Sequence, residues 1–178
     1  MPVPDPSAAP TDWPLSESGR AAAIALRDRV PEEIQVLSSP EVKAVETAVL
    51  VTGRVPRLDA RFGEVTRPGE PFDEAVRDRR RAWVGDRHDE RHRGWETPHE
   101  AGRRFGDALS EHPGEDLLVA THGMVMTSWL ASIGLLLRGE EAAAFWEALT
   151  FPDLVGVEVS ATGARIIGHG VPGRPLSR

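Results

Sequence analysis

Apolar and polar positions along this chain switch between two periods, and the switches mark its predicted elements. Residues 1–14 are rich in Pro and small side chains, show no periodicity and read as loop. Ser16 then offers a side-chain oxygen to orphan N–H groups and caps a predicted helix from Glu17 to about Arg29, with Ile24 and Leu26 among its apolar positions. Ile34 to Leu37 is a short buried strand. Ser38-Ser39-Pro40 opens a second helix, with Ser39 as cap, Pro40 at the first position where its missing N–H is harmless, and Gly53 as the stop. Leu58 to Val65 reads as extended or irregular, and 72–84 and 97–111 as two helices around a polar, histidine-bearing connection.

The sharpest switch of period comes at Leu117-Leu118-Val119-Ala120-Thr121-His122-Gly123. An apolar run breaks at a small polar residue, a histidine and a glycine, and an amphipathic segment follows at once. That is a buried parallel strand feeding a helix, and in open α/β sheets ligands bind at this strand end. The helix beginning at Gly123 would present free N–H groups and the positive end of its dipole, which suits an anion. A second short helix is predicted from about Glu140 to Leu149, then a hairpin of Leu154–Ser160 and Ala164–Gly168 across Ala161-Thr162-Gly163. Strands alternating with helices, closed by a hairpin, mean an α/β fold with a mostly parallel sheet. There is no internal repeat and no linker, so residues 1–178 are expected to form a single domain.

Composition narrows the function. Apolar residues make up 40% and charged residues 28%, ordinary for a globular protein, and no run approaches a membrane span. Without cysteine there is no disulfide, thiolate zinc site or cysteine nucleophile. No secretory pattern follows Met1, so a cytoplasmic location with no membrane partner is expected. The net charge of −7 argues against a nucleic-acid partner. Seven arginines do crowd residues 77–93, but Asp78, Asp86, Asp89 and Glu90 are interleaved, as on an ion-paired, solvated helix face.

Five segments in order resemble the histidine phosphatase superfamily, the phosphoglycerate-mutase-like proteins. They are Pro14-Leu15-Ser16-Glu17-Ser18-Gly19-Arg20; Ser38-Ser39-Pro40 with Lys43-Ala44 and Glu46-Thr47-Ala48; the Glu64 region; Gly94-Trp95-Glu96-Thr97 with Glu100 and Arg103 or Arg104; and Thr121-His122-Gly123. The resemblance implies a three-layer α/β/α fold and hydrolysis of a small phosphorylated molecule, with no cofactor and no metal. It also exposes an omission. These enzymes begin with an apolar strand ending in Arg-His-Gly, whose histidine is the nucleophile, and this chain begins where the following loop would be. The expectation is that Met1 is internal to a longer protein, making residues 1–178 an N-terminally truncated domain without its first strand. By the family's layout that strand lies between the counterparts of 117–121 and 154–160. Its removal leaves five or so ladder bonds to remake, each worth roughly 1–3 kcal/mol if buried and unpaired. The chain alone is then expected to be unstable or to aggregate unless those two strands close the gap. Arg87-His88 and Arg91-His92 are not substitutes, because neither follows an apolar strand or opens onto a glycine turn.

The resemblance also implies roles. In such enzymes a neutral histidine attacks phosphorus in line, and water then releases phosphate from the phosphohistidine. His122 is implied as the second pocket histidine, hydrogen-bonding a phosphoryl oxygen, with Gly123 beside it at the helix start. Lys43, the single lysine, stands where the family usually has a phosphate-binding arginine. It keeps the charge but lacks the planar fork; the competing reading is a solvated helix residue. Glu64 is the candidate general acid, with Glu70 as its neighbouring rival, and Glu96 reads as a cap of the 97–111 helix. An acid working near neutrality needs a raised pKa. Trp83 and Trp95 would either stack on a leaving group or simply pack.

Two alternatives stand. His88 and His92, four apart, would share a helix face as zinc ligands do, yet Asp89 replaces the catalytic Glu of that motif and His99 is one position out of register. The other is a catalytically inactive pseudo-phosphatase that binds a phosphorylated ligand through Lys43 and His122. Substrate identity and oligomeric state are not encoded in any motif found.

Overall fold

The computed structural model describes residues 3, 8–160 and 162–169. In chain order its elements are α1 (Glu17–Ile24), β1 (Gln35–Ser38), α2 (Val42–Thr52), β2 (Arg57–Leu58), α3 (Val76–Val84) and α4 (Pro98–Ser110). They continue as β3 (Leu117–Ala120), α5 (Gly123–Ser132), α6 (Glu140–Ala148), β4 (Val155–Ser160) and β5 (Gly163–His169). The chain divides into two compact units. The first comprises Met1–Gly63, His112–Thr121 and Thr150–Arg178; the second comprises Glu64–Glu111 and His122–Leu149. The fold is α/β, with a parallel three-stranded sheet and an antiparallel hairpin, as the alternation of elements predicts.

In the first unit Ser16 caps α1 as expected, its side chain accepting from the Gly19 N–H at 3.1 Å. The helix is shorter than predicted, ending at Ile24 and passing into a 3₁₀ turn over Arg27–Arg29. Pro31 ends that turn, because it holds Val30 extended (φ −112°, ψ 130°). The start of α2 also differs. The helix begins at Val42 with Glu41 in the cap position, while Ser39 Oγ accepts from the Glu41 N–H at 3.2 Å and closes the turn before it. Gly53 ends α2 in the left-handed region (φ 70°), with its N–H donating to Val49 O at 2.7 Å. The predicted opening loop contains a short 3₁₀ turn, Pro10–Asp12; Met1 and residues 4–7, like Ala161 of the hairpin turn, lie outside the described residues.

The sheet runs β2-β1-β3, all parallel, with Leu37 opposite both Arg57 and Val119. Val36, Leu37 and Ser38 of the central β1 are buried, while all four residues of β3 are only half-buried. Among the described residues β3 pairs with β1 alone and β4 with β5 alone, so 117–120 and 155–160 do not close on each other. Ala23, Leu26 and Val51 form a small core with Leu50, Leu118 and Leu154 packed against it. Leu118 thus tethers the edge strand from one face.

The second unit is helical. Thr97 caps α4 in a reciprocal box: its hydroxyl accepts from the Glu100 N–H at 3.2 Å, and the Glu100 carboxylate accepts from the Thr97 N–H at 2.8 Å. Glu96 is therefore not the cap; it pairs instead with Arg104 (2.6 Å) and accepts from the Thr66 N–H at 3.2 Å. Helices α4 and α5 approach so closely at Gly102 that a Cβ there would lie 2.7 Å from Ser128 O. Phe105 packs on Trp129 nearby, with ring centroids 5.1 Å apart. The predicted 72–84 helix starts only at Val76, because Asp73 Oδ1 accepts from the Ala75 N–H and holds a turn ahead of it. Its arginines are engaged by acids elsewhere in the unit: Arg79 by Asp73, Arg80 by Glu70, and Arg81 by Glu140 and Glu147. The arginines of α3 are thus ion-paired by different partners from the interleaved acids, whereas beyond the helix Asp89 and Glu90 pair with Arg91 and Arg93 as expected. Among the described residues no helix is long and apolar enough to cross a membrane.

Candidate functional site

The local sequence places His122 by a simple relay. Strand β3 ends at Ala120, Thr121 donates its hydroxyl to Phe62 O at 2.7 Å, and His122 is extended (φ −127°, ψ 156°) as the N-cap of α5. Its carbonyl accepts the first helical bond, from the Met126 N–H at 3.1 Å, while its imidazole makes no capping bond to the helix. The side chain's capping duty is thus left undone, and the residue is only 7% exposed. Gly123 and Met124 follow as buried first-turn residues whose N–H groups belong to the orphan donors of a helix start. The result is a buried imidazole beside the positive end of a ten-residue helix, an arrangement suited to oxyanions.

Glu64 lies in the same unit, with its Oε1 accepting from the Val65 N–H at 2.9 Å and its carbonyl accepting from Arg104 Nη2 at 3.2 Å. Glu70, its rival from the sequence, is locked differently. Its carboxylate takes Arg67 Nε (2.9 Å) and both Arg80 nitrogens (2.7–3.2 Å). Burial pushes the Glu70 carboxyl up, but the hydrogen bonds and charges of Arg80 and Arg67 outweigh it and hold the group below the usual carboxylate range. A carboxylate held ionised by two arginines is a clamp rather than a proton donor.

Arg67 is the residue that sequence reading missed. Its Nη1 donates to Val65 O at 3.0 Å, lies 3.9 Å from Glu64 Oε1, and reaches Met124 Sδ in the first turn of α5 at 3.5 Å. Glu64 and the start of α5 therefore share one guanidinium. The one available signal was the three-residue spacing Glu64, Arg67, Glu70, and no helix periodicity accompanied it.

Lys43 belongs to the first unit, whereas Glu64, His122 and Gly123 belong to the second. The lysine is not a solvated helix residue. Its ammonium donates to Glu41 Oε2 at 2.5 Å and to Pro10 O at 2.8 Å, and its side chain is 19% exposed. Ser38 and Ser39 beside it are fully buried. Any anion that Lys43 binds must share it with Glu41.

The zinc alternative loses its ligands. His92 is buried, with Nδ1 accepting from the Asp89 N–H (3.2 Å) and Nε2 donating to Arg79 O (2.9 Å), so both ring nitrogens are used. Among the described residues no three His, Cys, Asp or Glu side chains group as metal ligands. Trp83 and Trp95 are 1% and 8% exposed, and Trp83 donates its indole N–H to Glu96 O at 2.8 Å; both are packing residues.

The sequence from residue 7 to 150 matches the family model described as histidine phosphatase superfamily, branch 1. No curated protein sequence matches significantly. Among solved structures, a mutant phosphoserine phosphatase from Entamoeba histolytica in complex with phosphoserine superposes with a TM-score of 0.70 at 11% identity, covering 92% of this chain and 87% of that one. The Bacillus stearothermophilus protein YhfR gives 0.67 at 23% identity, over 87% and 83%. A mycobacterial glucosyl-3-phosphoglycerate phosphatase in complex with inorganic phosphate gives 0.62 at 19% identity, over 93% and 89%. At these identities the structural likeness speaks for the fold, and it agrees with the family match across residues 7–150. The chain, with its half-buried strand delivering His122 to a helix start, belongs to the histidine phosphatase superfamily.

Proposed function

We propose that the protein hydrolyses a small phosphomonoester through a phosphohistidine, as one catalytic domain. The observation that carries this reading is His122 at the N-cap of α5, buried directly after β3 at the start of a helix. His122 donates a hydrogen bond to a phosphoryl oxygen, and the Gly123 and Met124 N–H groups take up developing charge. A neutral histidine attacks phosphorus in line, the P–O bond to the alcohol breaks, and Glu64 gives its proton to the departing oxygen. Glu64 then accepts a proton from the water that attacks the phosphohistidine, and phosphate leaves. Catalysis is mainly positioning and charge neutralisation.

In this reading the nucleophile is carried on a strand that residues 1–178 do not contain. Among the described residues β3 pairs with β1 alone and β4 with β5 alone, both in the first unit, which supports it. The test is the intact mass of the protein from its own cell, together with acid-labile phosphate incorporation from p-nitrophenyl phosphate. A mass above 19.4 kDa by a strand's length, with a labelled histidine and a turnover that falls about 10²–10³-fold in His122→Ala, is the expected result. A mass of 19.4 kDa with phosphate binding but no labelling overturns it in favour of the pseudo-phosphatase.

A further inference from the structure

Lys43 is held by a carboxylate that helix geometry alone would not bring to it. Residues two apart do not face each other along a helix. The pair forms because Glu41, in the cap position of α2, is extended (φ −67°, ψ 135°), while Lys43 lies in the first turn. Glu41 does not spend its carboxylate on the helix. It makes no side-chain capping bond, and Oε2 accepts from the Lys43 ammonium at 2.5 Å instead. Both side chains are largely out of solvent, with 10% of Glu41 and 19% of Lys43 exposed. A Cβ at Gly63 would lie 3.9 Å from Glu41 Oε1, so main chain stands close on the carboxylate's other side.

An ammonium shielded from water attracts an oxyanion strongly, because little solvent screens it. The carboxylate at 2.5 Å cancels that attraction for anything farther away than the pair itself. Two of the three ammonium donors are also taken, one by Glu41 and one by Pro10 O at 2.8 Å. A phosphoryl group therefore meets a neutral pair and not a cation. It gains the lysine only by displacing the carboxylate, which is itself an oxyanion already in contact.

We infer that Glu41 is an internal competitor for the phosphoryl group: it stands on Lys43 where a ligand oxyanion would and so sets how tightly phosphate is held. This rests on the phosphomonoesterase reading above, with Lys43 in the phosphate-binding role that the resemblance implies. Lys43 is the single lysine, so isotope-labelled lysine places one reporter in the whole chain. The test follows its ε-methylene and ammonium signals by NMR while inorganic phosphate is added to the 178-residue chain. Wild type is compared with Glu41→Gln and Glu41→Leu, each checked for a native melt. Calorimetry gives the phosphate affinities, and is repeated with Lys43→Met added to each protein.

The expected result is that phosphate binds Glu41→Gln about tenfold or more tightly than wild type, the size of one charge-assisted hydrogen bond. The Lys43 signals move with the same midpoint. Glu41→Leu shows a like gain, and decides the matter if Glu41→Gln does not fold. With Lys43→Met added the gain falls to near one, which separates competition for that ammonium from a general loss of negative charge. Equal affinity with and without Glu41, weaker binding without it, or a gain that persists in Lys43→Met overturns the inference and leaves the reaction standing. Lys43 signals that stay still while phosphate binds do the same. Failure of every protein to bind phosphate overturns the reaction and the inference together.

Discussion

Strand β3 and helix α5 are consecutive apolar segments, yet they are supported in opposite ways. Every residue of β3 is half-buried, and among the described residues the strand has one hydrogen-bonded neighbour. In α5, Met124, Val125 and Leu130 are 0–1% exposed and the backbone bonds are internal. A helix satisfies its own amides, whereas a strand relies on both neighbours to do so. A run such as Leu117-Leu118-Val119-Ala120 has the composition of a strand covered on both sides, and among the described residues only one side is paired. The first unit therefore leans on strand pairing, and the helical unit on the packing of its side chains.

The largest effect should come from supplying β3 with a second neighbour. Extending the chain upstream with an apolar strand should raise stability by about 5 kcal/mol, for five or so ladder bonds at about 1 kcal/mol each. Phe105→Ala in the helical unit should cost a similar ~3–5 kcal/mol with or without that strand. Urea midpoints of the four combinations measure both effects. An extension that leaves the midpoint unmoved breaks the comparison, because β3 would then need no partner.

Glycines sharpen the contrast at a smaller scale. Gly102→Ala should cost about 1–3 kcal/mol by forcing α4 off Ser128 O. Gly53→Ala, with φ 70° and nothing within 4 Å of its Cβ position, should cost about 1–2 kcal/mol through backbone strain alone. Cavity-filling changes opposite position 53 should not matter, while Ser132→Gly, which shortens a side chain 3.3 Å from the Cβ position at Gly102, should soften the first loss. Thermal melts of the single and double variants decide this.

Acid should produce the smallest difference. Glu70 in the second unit and Asp59 in the first both have carboxyls held below their ordinary values of 4.5 and 3.8. For Asp59 the first cause is the hydrogen bond from Arg61; for Glu70 burial opposes the shift and the arginines win. A depressed folded value means stability that is complete above the unfolded pKa and lost as pH falls through the folded one. Between pH 7 and the region below about 4.5 the wild type should therefore lose more stability than Glu70→Gln. The Asp59→Asn difference should be smaller, because Asp59 is 24% exposed against 9% for Glu70. Equal acid profiles for all three proteins would remove Glu70 as the anchor of Arg67.

Much of the fold was legible because it is written in local chemistry. Ser16, Gly53 and Thr97 each mark a helix end through a backbone bond that the residue type dictates. The misplacements have local causes too. Ser39 has the sequence signature of a cap yet closes the preceding turn, and Asp73 delays α3 by the same kind of bond. In the candidate site, His122 and Gly123 were legible because a strand, a glycine and a helix start coincide within seven residues. Arg67 was not, since nothing periodic surrounds it and its importance depends on Met124, fifty-seven positions away.

By itself, then, the sequence determined the element order, the strand-to-helix step that presents His122, and the family to which the chain belongs. Those features rest on capping, periodicity and turn chemistry, which act over a few residues. Only the tertiary structure decided that Glu70 clamps rather than donates, that Lys43 is shared with Glu41 and Pro10, and that Arg67 joins Glu70 to Val65 and the start of α5. Each depends on charges brought together from separate segments, where burial raises the cost of leaving any of them unpaired and so selects the partner.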